Sequence, residues 1–183
     1  TVLGFAAHAT HFVALATTAG FLLLLEAFER KKEHWYLLSG IVFGLACILK
    51  QSAVLLCLFG IVALMVCRIA QRETNVRRLL LSGVLFSFGV ITPIIVMLVF
   101  LYAVSVLETF WFWTVTYLSS YATSKPLSSA QDSLLSGLRY VVDGYYLVWL
   151  LAALGIAVLF LDSRLRKKRA ILLLFALFSF LSI

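Results

Sequence analysis

Six polar side chains stand where an otherwise apolar chain could do chemistry: His8, His11, Lys50, Gln51, Glu108 and Arg139. Lys50 is the most specific. It sits beside Gln51 near the middle of an almost uninterrupted apolar run from Trp35 to Cys67. An ionisable group at such depth is costly unless it reaches water or an anion, so it is a functional hypothesis in itself. The anion native to that depth is a lipid phosphate; the alternative is a lysine that only snorkels to interfacial water. His8 and His11, three residues apart, could share a helical face and hydrogen-bond a ligand. A zinc site needs more ligands than two histidines, and none is near them in sequence, so no metal is assigned. The chain has no GxGxxG, Walker loop, GxSxG or HExxH, and no cofactor is expected.

What must position Lys50 is the run that carries it. As one straight helix, its roughly 33 residues would extend about 50 Å, against a hydrocarbon core of about 30 Å. A single crossing would need a tilt of about 53°, beyond the usual limit of about 40°, and would leave Lys50 near the bilayer centre. A fold-back at Lys50-Gln51 removes both problems, giving two arms of about 22 to 25 Å with the lysine at the apex. No Gly or Pro marks the turn, and Ser52 is expected to cap the start of the second arm.

Composition sets the class. With 63% hydrophobic and 13% charged residues among 183, the expected fold is all-α: a polytopic integral membrane helix bundle of about five crossings plus one truncated helix. The net charge of +7 does not point to nucleic acid, because most of the basic residues fall in short clusters between apolar runs. These are Arg30, Lys31 and Lys32; then Arg68, Arg72, Arg77 and Arg78; then Arg164, Arg166, Lys167, Lys168 and Arg169. By the positive-inside rule, loops 29–34, 68–78 and 162–169 are cytoplasmic and the setting is the inner membrane. If the first two clusters share a side, the segment between them crosses an even number of times. That parity demands the fold-back independently of length.

Helices are predicted over about 12–28, 35–49, 53–67, 79–106, 145–161 and 170–183, within a single transmembrane domain. Glu26 and Arg30, four apart, should pair at the inner end of the first helix. Gly40 and Gly44 form a small-xxx-small pair that lets another helix approach closely, and Gly83 and Gly89 favour the same. Pro93 is expected to kink its helix. The connection 107–144 is placed outside, with Phe110, Trp111, Phe112, Trp113, Tyr117 and Tyr121 suited to an interfacial helix or to ligand contact. Arg139 and Asp143 suit a local ion pair. Cys47, Cys57 and Cys67 are expected as small buried side chains rather than disulfide or metal partners. With no initiator Met and only about 14 apolar residues after the last basic cluster, the chain is expected to be an internal piece of a longer protein.

The succession EAFERKKEHW, then LLSGIVFGLACILKQSAV, then a returning arm to a second basic cluster resembles the type C membrane glycosyltransferases. More narrowly, it is similar to the bacterial branch related to dolichyl-phosphate-mannose protein mannosyltransferases and the lipid A aminoarabinose transferase. Gly40-x-x-x-Gly44-Leu45-Ala46 followed by Lys50-Gln51, with the helix before them, carries the resemblance over roughly residues 8 to 68. The resemblance implies inverting transfer of a sugar from a polyprenyl-phosphate-linked donor to an acceptor at the outer face of the membrane. It also implies a catalytic acidic residue in an outer loop upstream of Thr1. Members commonly carry an acidic residue just before the helix that begins here at Phe12, where this chain has Thr10-His11. On this reading Lys50, Gln51 and His11 contact the donor, with Lys50 compensating its phosphate. A transporter or flippase for lipid-linked saccharides, or a non-catalytic membrane subunit, remains the alternative; paired repeats, expected of many transporters, are not evident.

Overall fold

The computed structural model describes residues 9–30, 32–70, 75–117, 119, 135–136, 146–166 and 168–182. Every element among them is helical. In chain order they are α1 (Ala9–Arg30), α2 (Glu33–Leu49), a 3-10 turn (Gln51–Ala53), α3 (Val54–Ala70) and α4 (Val76–Ala103). After these come α5 (Leu107–Trp111), which widens into a π-helical stretch (Phe112–Tyr117), α6 (Tyr146–Leu161), a second 3-10 turn (Ser163–Leu165) and α7 (Arg169–Leu181). By length and composition, α1 over Thr10–Arg30 and α4 can each cross a membrane; α2, α3, α6 and α7 are shorter apolar helices. The chain is an all-α membrane helix bundle. Its residues group into two compact units, 1–99 with 170–183, and 100–169.

The long apolar run breaks at Lys50. α2 ends at Leu49, and Lys50 takes an extended conformation with φ −154° and ψ 124° while its N–H still donates to the Ala46 carbonyl at 3.0 Å. An extended residue followed by one 3-10 turn reverses the chain without glycine or proline. The arms then run antiparallel: the Cys47 and Cys57 sulfurs are 3.2 Å apart and the Phe43 and Phe59 ring centroids 6.4 Å apart, both pairs centred on the turn. Each arm has 17 residues, or about 25 Å. Ser52 does not cap the second arm as its sequence position suggests. It lies inside the 3-10 turn, with its hydroxyl donated to the Ser182 carbonyl at 2.6 Å. No disulfide joins the three cysteines, and Cys57 and Cys67 are buried.

A lattice of rings fills the first unit. Phe21 of α1 stacks on Phe175 of α7 at 4.2 Å and meets Phe59 of α3 edge-on at 5.6 Å; Phe43 of α2 meets Phe86 of α4 edge-on at 5.8 Å. Edge-on and offset pairs gain from the ring quadrupole beyond simple contact. The rings come this close because glycines let the backbones close in. A Cβ at Gly40 would lie 2.2 Å from the Phe86 carbonyl oxygen, one at Gly44 2.3 Å from that of Val90, and one at Gly89 2.4 Å from that of Leu37. α2 and α4 therefore touch backbone to backbone, as the small-xxx-small spacing requires. Gly83 departs from that expectation, since a Cβ there would have nothing within 4 Å. α4 continues across Pro93, whose buried ring lies 2.6 Å from the position of a Gly44 Cβ. Glu26 and Arg30 do pair, and the Arg30 guanidinium also lies over the Trp35 ring at 5.5 Å.

In the second unit, α4 stops three residues before the predicted Val106. Ser105 adopts φ 57°, its N–H donates to Tyr102 and the N–H of Val106 reaches back to the Leu101 carbonyl at 3.0 Å. This is a Schellman cap with serine at the left-handed position that glycine usually fills. Trp113 packs against Phe112 and Tyr117, with centroids 5.4 and 5.3 Å apart, and all three rings are exposed. Arg169 caps the end of α6: its Nε and Nη2 donate to the carbonyls of Leu159 and Phe160 at 2.7 and 3.0 Å. A cation there also complements the helix dipole. His8, Tyr121, Arg139 and Asp143, with any Arg139–Asp143 pair, lie outside the described residues.

Candidate functional site

Three chain segments meet at the apex of the hairpin. They are the start of α1, the α2–α3 turn and the end of α7. The Lys50 ammonium donates to the Ser182 carbonyl at 3.4 Å, and the Ser52 hydroxyl donates to the same oxygen. The extended backbone at Lys50 is what turns its side chain off the helical path and across to α7.

Beside this contact lies a cavity of about 430 Å³. Lys50 lines it together with five hydroxyl residues, Thr10, Thr17 and Thr18 from α1 and Ser179 and Ser182 from the end of α7. Val13, Leu56 and Phe175 complete an apolar wall. Thr17 and Ser182 commit their protons to their own helices. Thr17 donates to Val13 at 2.8 Å and Ser182 to Ser179 at 2.8 Å, which leaves their oxygens able to accept. What this lining offers is charge compensation beside hydrogen-bonding groups, with an apolar side against which a chain or ring face can lie.

Of the three residues singled out from the sequence, only Lys50 lines the cavity. Gln51 is exposed within the 3-10 turn, and His11 is exposed on α1 next to Thr10. The residues that sequence reasoning passed over are the hydroxyls. A signal for them existed: Thr10, Thr17, Thr18, Ser179 and Ser182 interrupt apolar helices at the two ends that meet Lys50. Ser52, read as a cap, instead ties the turn to α7.

The class of protein comes from the family comparison. The sequence model of the family described as dolichyl-phosphate-mannose-protein mannosyltransferase matches residues 1–97, more than half of the 183. The chain belongs to that family, and its class is membrane glycosyltransferase. Membership implies a lipid-linked sugar donor. The match spans α1, the hairpin with Lys50 and most of α4, while Ser179 and Ser182 lie beyond it. No curated protein and no solved structure matches the chain.

Proposed function

We propose that this protein serves the transfer of a sugar from a polyprenyl-phosphate donor to an acceptor at the outer face of the cytoplasmic membrane, and that Lys50 holds the donor phosphate. The observation that carries this reading is the position of Lys50, at a hairpin apex on a cavity lined by hydroxyls. In glycosyl transfer from such a donor, the bond between the anomeric carbon and the phosphate oxygen breaks, and negative charge grows on the leaving phosphate. A fixed ammonium stabilises that charge more than the ground state, which is where catalysis is gained. The hydroxyls of Thr10, Thr18 and Ser179 suit the sugar or the remaining phosphate oxygens. The apolar wall from Val13, Leu56 and Phe175 suits the first isoprene units. Gln51 and His11, each next in sequence to a lining residue, belong to the entrance in this reading. The acceptor and its activating base fall to other residues.

The test is Lys50→Met in the full-length protein, with membrane insertion verified. Transfer should fall by about 10²- to 10³-fold, the range for losing one preorganised donor to a developing oxyanion. Lys50→Arg should retain much of the rate. The loss should appear mainly in kcat, since the charge is needed most in the transition state. Unchanged transfer by Lys50→Met removes the assignment.

A further inference from the structure

A second cavity lies away from the hairpin apex, between α3 and α4. It is an open groove of about 480 Å³, lined by Ile61, Leu64 and Met65 on one side and by α4 residues from Leu79 to Ile91 on the other. Ser87 is the one hydroxyl in its lining. Gly83 lies in its wall with nothing within 4 Å of a built Cβ, so the glycine here leaves space where Gly40 and Gly89 close it. Along α4 the lining positions Leu80, Val84, Ser87 and Ile91 keep the three- and four-residue spacing of one helical face. Three residues before Leu80, that stripe continues to Arg77, which is exposed. Long side chains on a helix lean toward its N-terminus, so Arg77 leans from the groove toward the basic end of α4, where Arg78 adjoins it.

The groove is thus apolar along its length, with Arg77 one turn beyond its α4 wall on the same stripe. We propose that it binds one anionic phospholipid, with an acyl chain lying along Gly83, Val84 and Phe88 and the phosphate at Arg77. Charge complementarity selects this occupant: basic sites beside membrane helices take anionic headgroups, and a neutral lipid would leave Arg77 unused. The argument holds for either leaflet. It is also independent of Lys50, so glycosyl transfer and lipid binding can fail separately.

The experiment is native mass spectrometry of the full-length protein after delipidation and equilibration with vesicles of equal phosphatidylcholine and phosphatidylglycerol. The wild type should retain phosphatidylglycerol in preference. Arg77→Gln should reduce that preference roughly fivefold, the factor for about 1 kcal/mol per basic residue near anionic lipid. Arg77→Lys should keep it. Gly83→Leu, which has room to fold because it fills open space, should reduce retention of both lipids. The proposal is overturned by equal retention of the two lipids in the wild type, or by an Arg77→Gln preference like the wild type's. It is also overturned if Gly83→Leu retains lipid fully, or if it destabilises the protein while the wild type carries no lipid, the result expected of a groove filled by another helix. Should Arg77→Gln not fold, Arg77→Met and Gly83→Leu decide the matter by the same measure.

Discussion

The seam between α2 and α4 and the surface of α6 are both apolar and both contain glycine, yet they are opposite in kind. In the seam, Gly40, Gly44 and Gly89 each have a backbone carbonyl of the facing helix within 2.4 Å of where a Cβ would sit. On α6, Gly155 has nothing within 4 Å, and no residue of the helix is buried. Hydropathy does not separate them, for α6 is the more uniformly apolar of the two. In lipid there is no hydrophobic gain in bringing two apolar helices together, so close fit and hydrogen bonds must supply the association. Apolarity puts a helix in the membrane; small residues at matched positions decide what it packs against.

The sharpest way to break that contrast is to place the same side chain in both regions. Gly40→Leu puts atoms onto the Phe86 backbone, which no rotamer change can relieve, so α2 and α4 must separate. The expected loss is at or above ~3 kcal/mol, the upper end for overpacking. Gly155→Leu should lie between neutral and a gain of about 1 kcal/mol from better helix propensity. Unfolding midpoints of the full-length protein in detergent measure both. Equal losses at the two positions would mean that α6 is packed in the full-length protein as tightly as the seam.

A smaller loss is expected from emptying the seam rather than overfilling it. Phe86 is fully buried, and its ring lies against Phe43 and against the space a Gly60 side chain would take. Phe86→Ala opens a hole between α2, α3 and α4. The loss should be about 3 kcal/mol, the low end for such truncations, because the separated helices remain in lipid and the transfer term is small. A loss under ~1 kcal/mol would show that the glycines alone hold the seam.

The same contrast explains what the sequence made legible. Helix existence followed from apolar runs, and the hairpin from length and the parity of basic clusters, because both depend only on the membrane's thickness and charge asymmetry. Gly40 and Gly44 were readable as a packing face because their spacing is that of one helical stripe. Gly83 was not separable from Gly89, since only the partner's position tells a glycine that admits a backbone from one that leaves a groove. At the site, Lys50 stood out by its charge. The hydroxyls of α1 and α7 did not, because nothing local announces that Ser182 meets a turn 130 residues away. Ser52 was misread for the same reason: its hydroxyl suits a cap locally, and a distant carbonyl won it.

The finest test concerns the polar contact between α2 and α1. Ser39 of α2 is fully buried and donates to the Gly20 carbonyl of α1 at 2.7 Å, beside a glycine whose missing side chain leaves room for the Phe43 ring. Gly20 lies within α1, so its carbonyl already accepts from the helix and uses Ser39 as a second donor. Ser39→Ala therefore strands no group. It removes one interhelical bond whose competitor in the separated state is the serine's own helix, where its hydroxyl can bond a preceding carbonyl. The loss should be about 0.6 kcal/mol, the average for such bonds between membrane helices. A loss above ~2 kcal/mol would exceed the range known for a single interhelical bond and would mean that Ser39, like Gly40 beside it, sets the distance between helices.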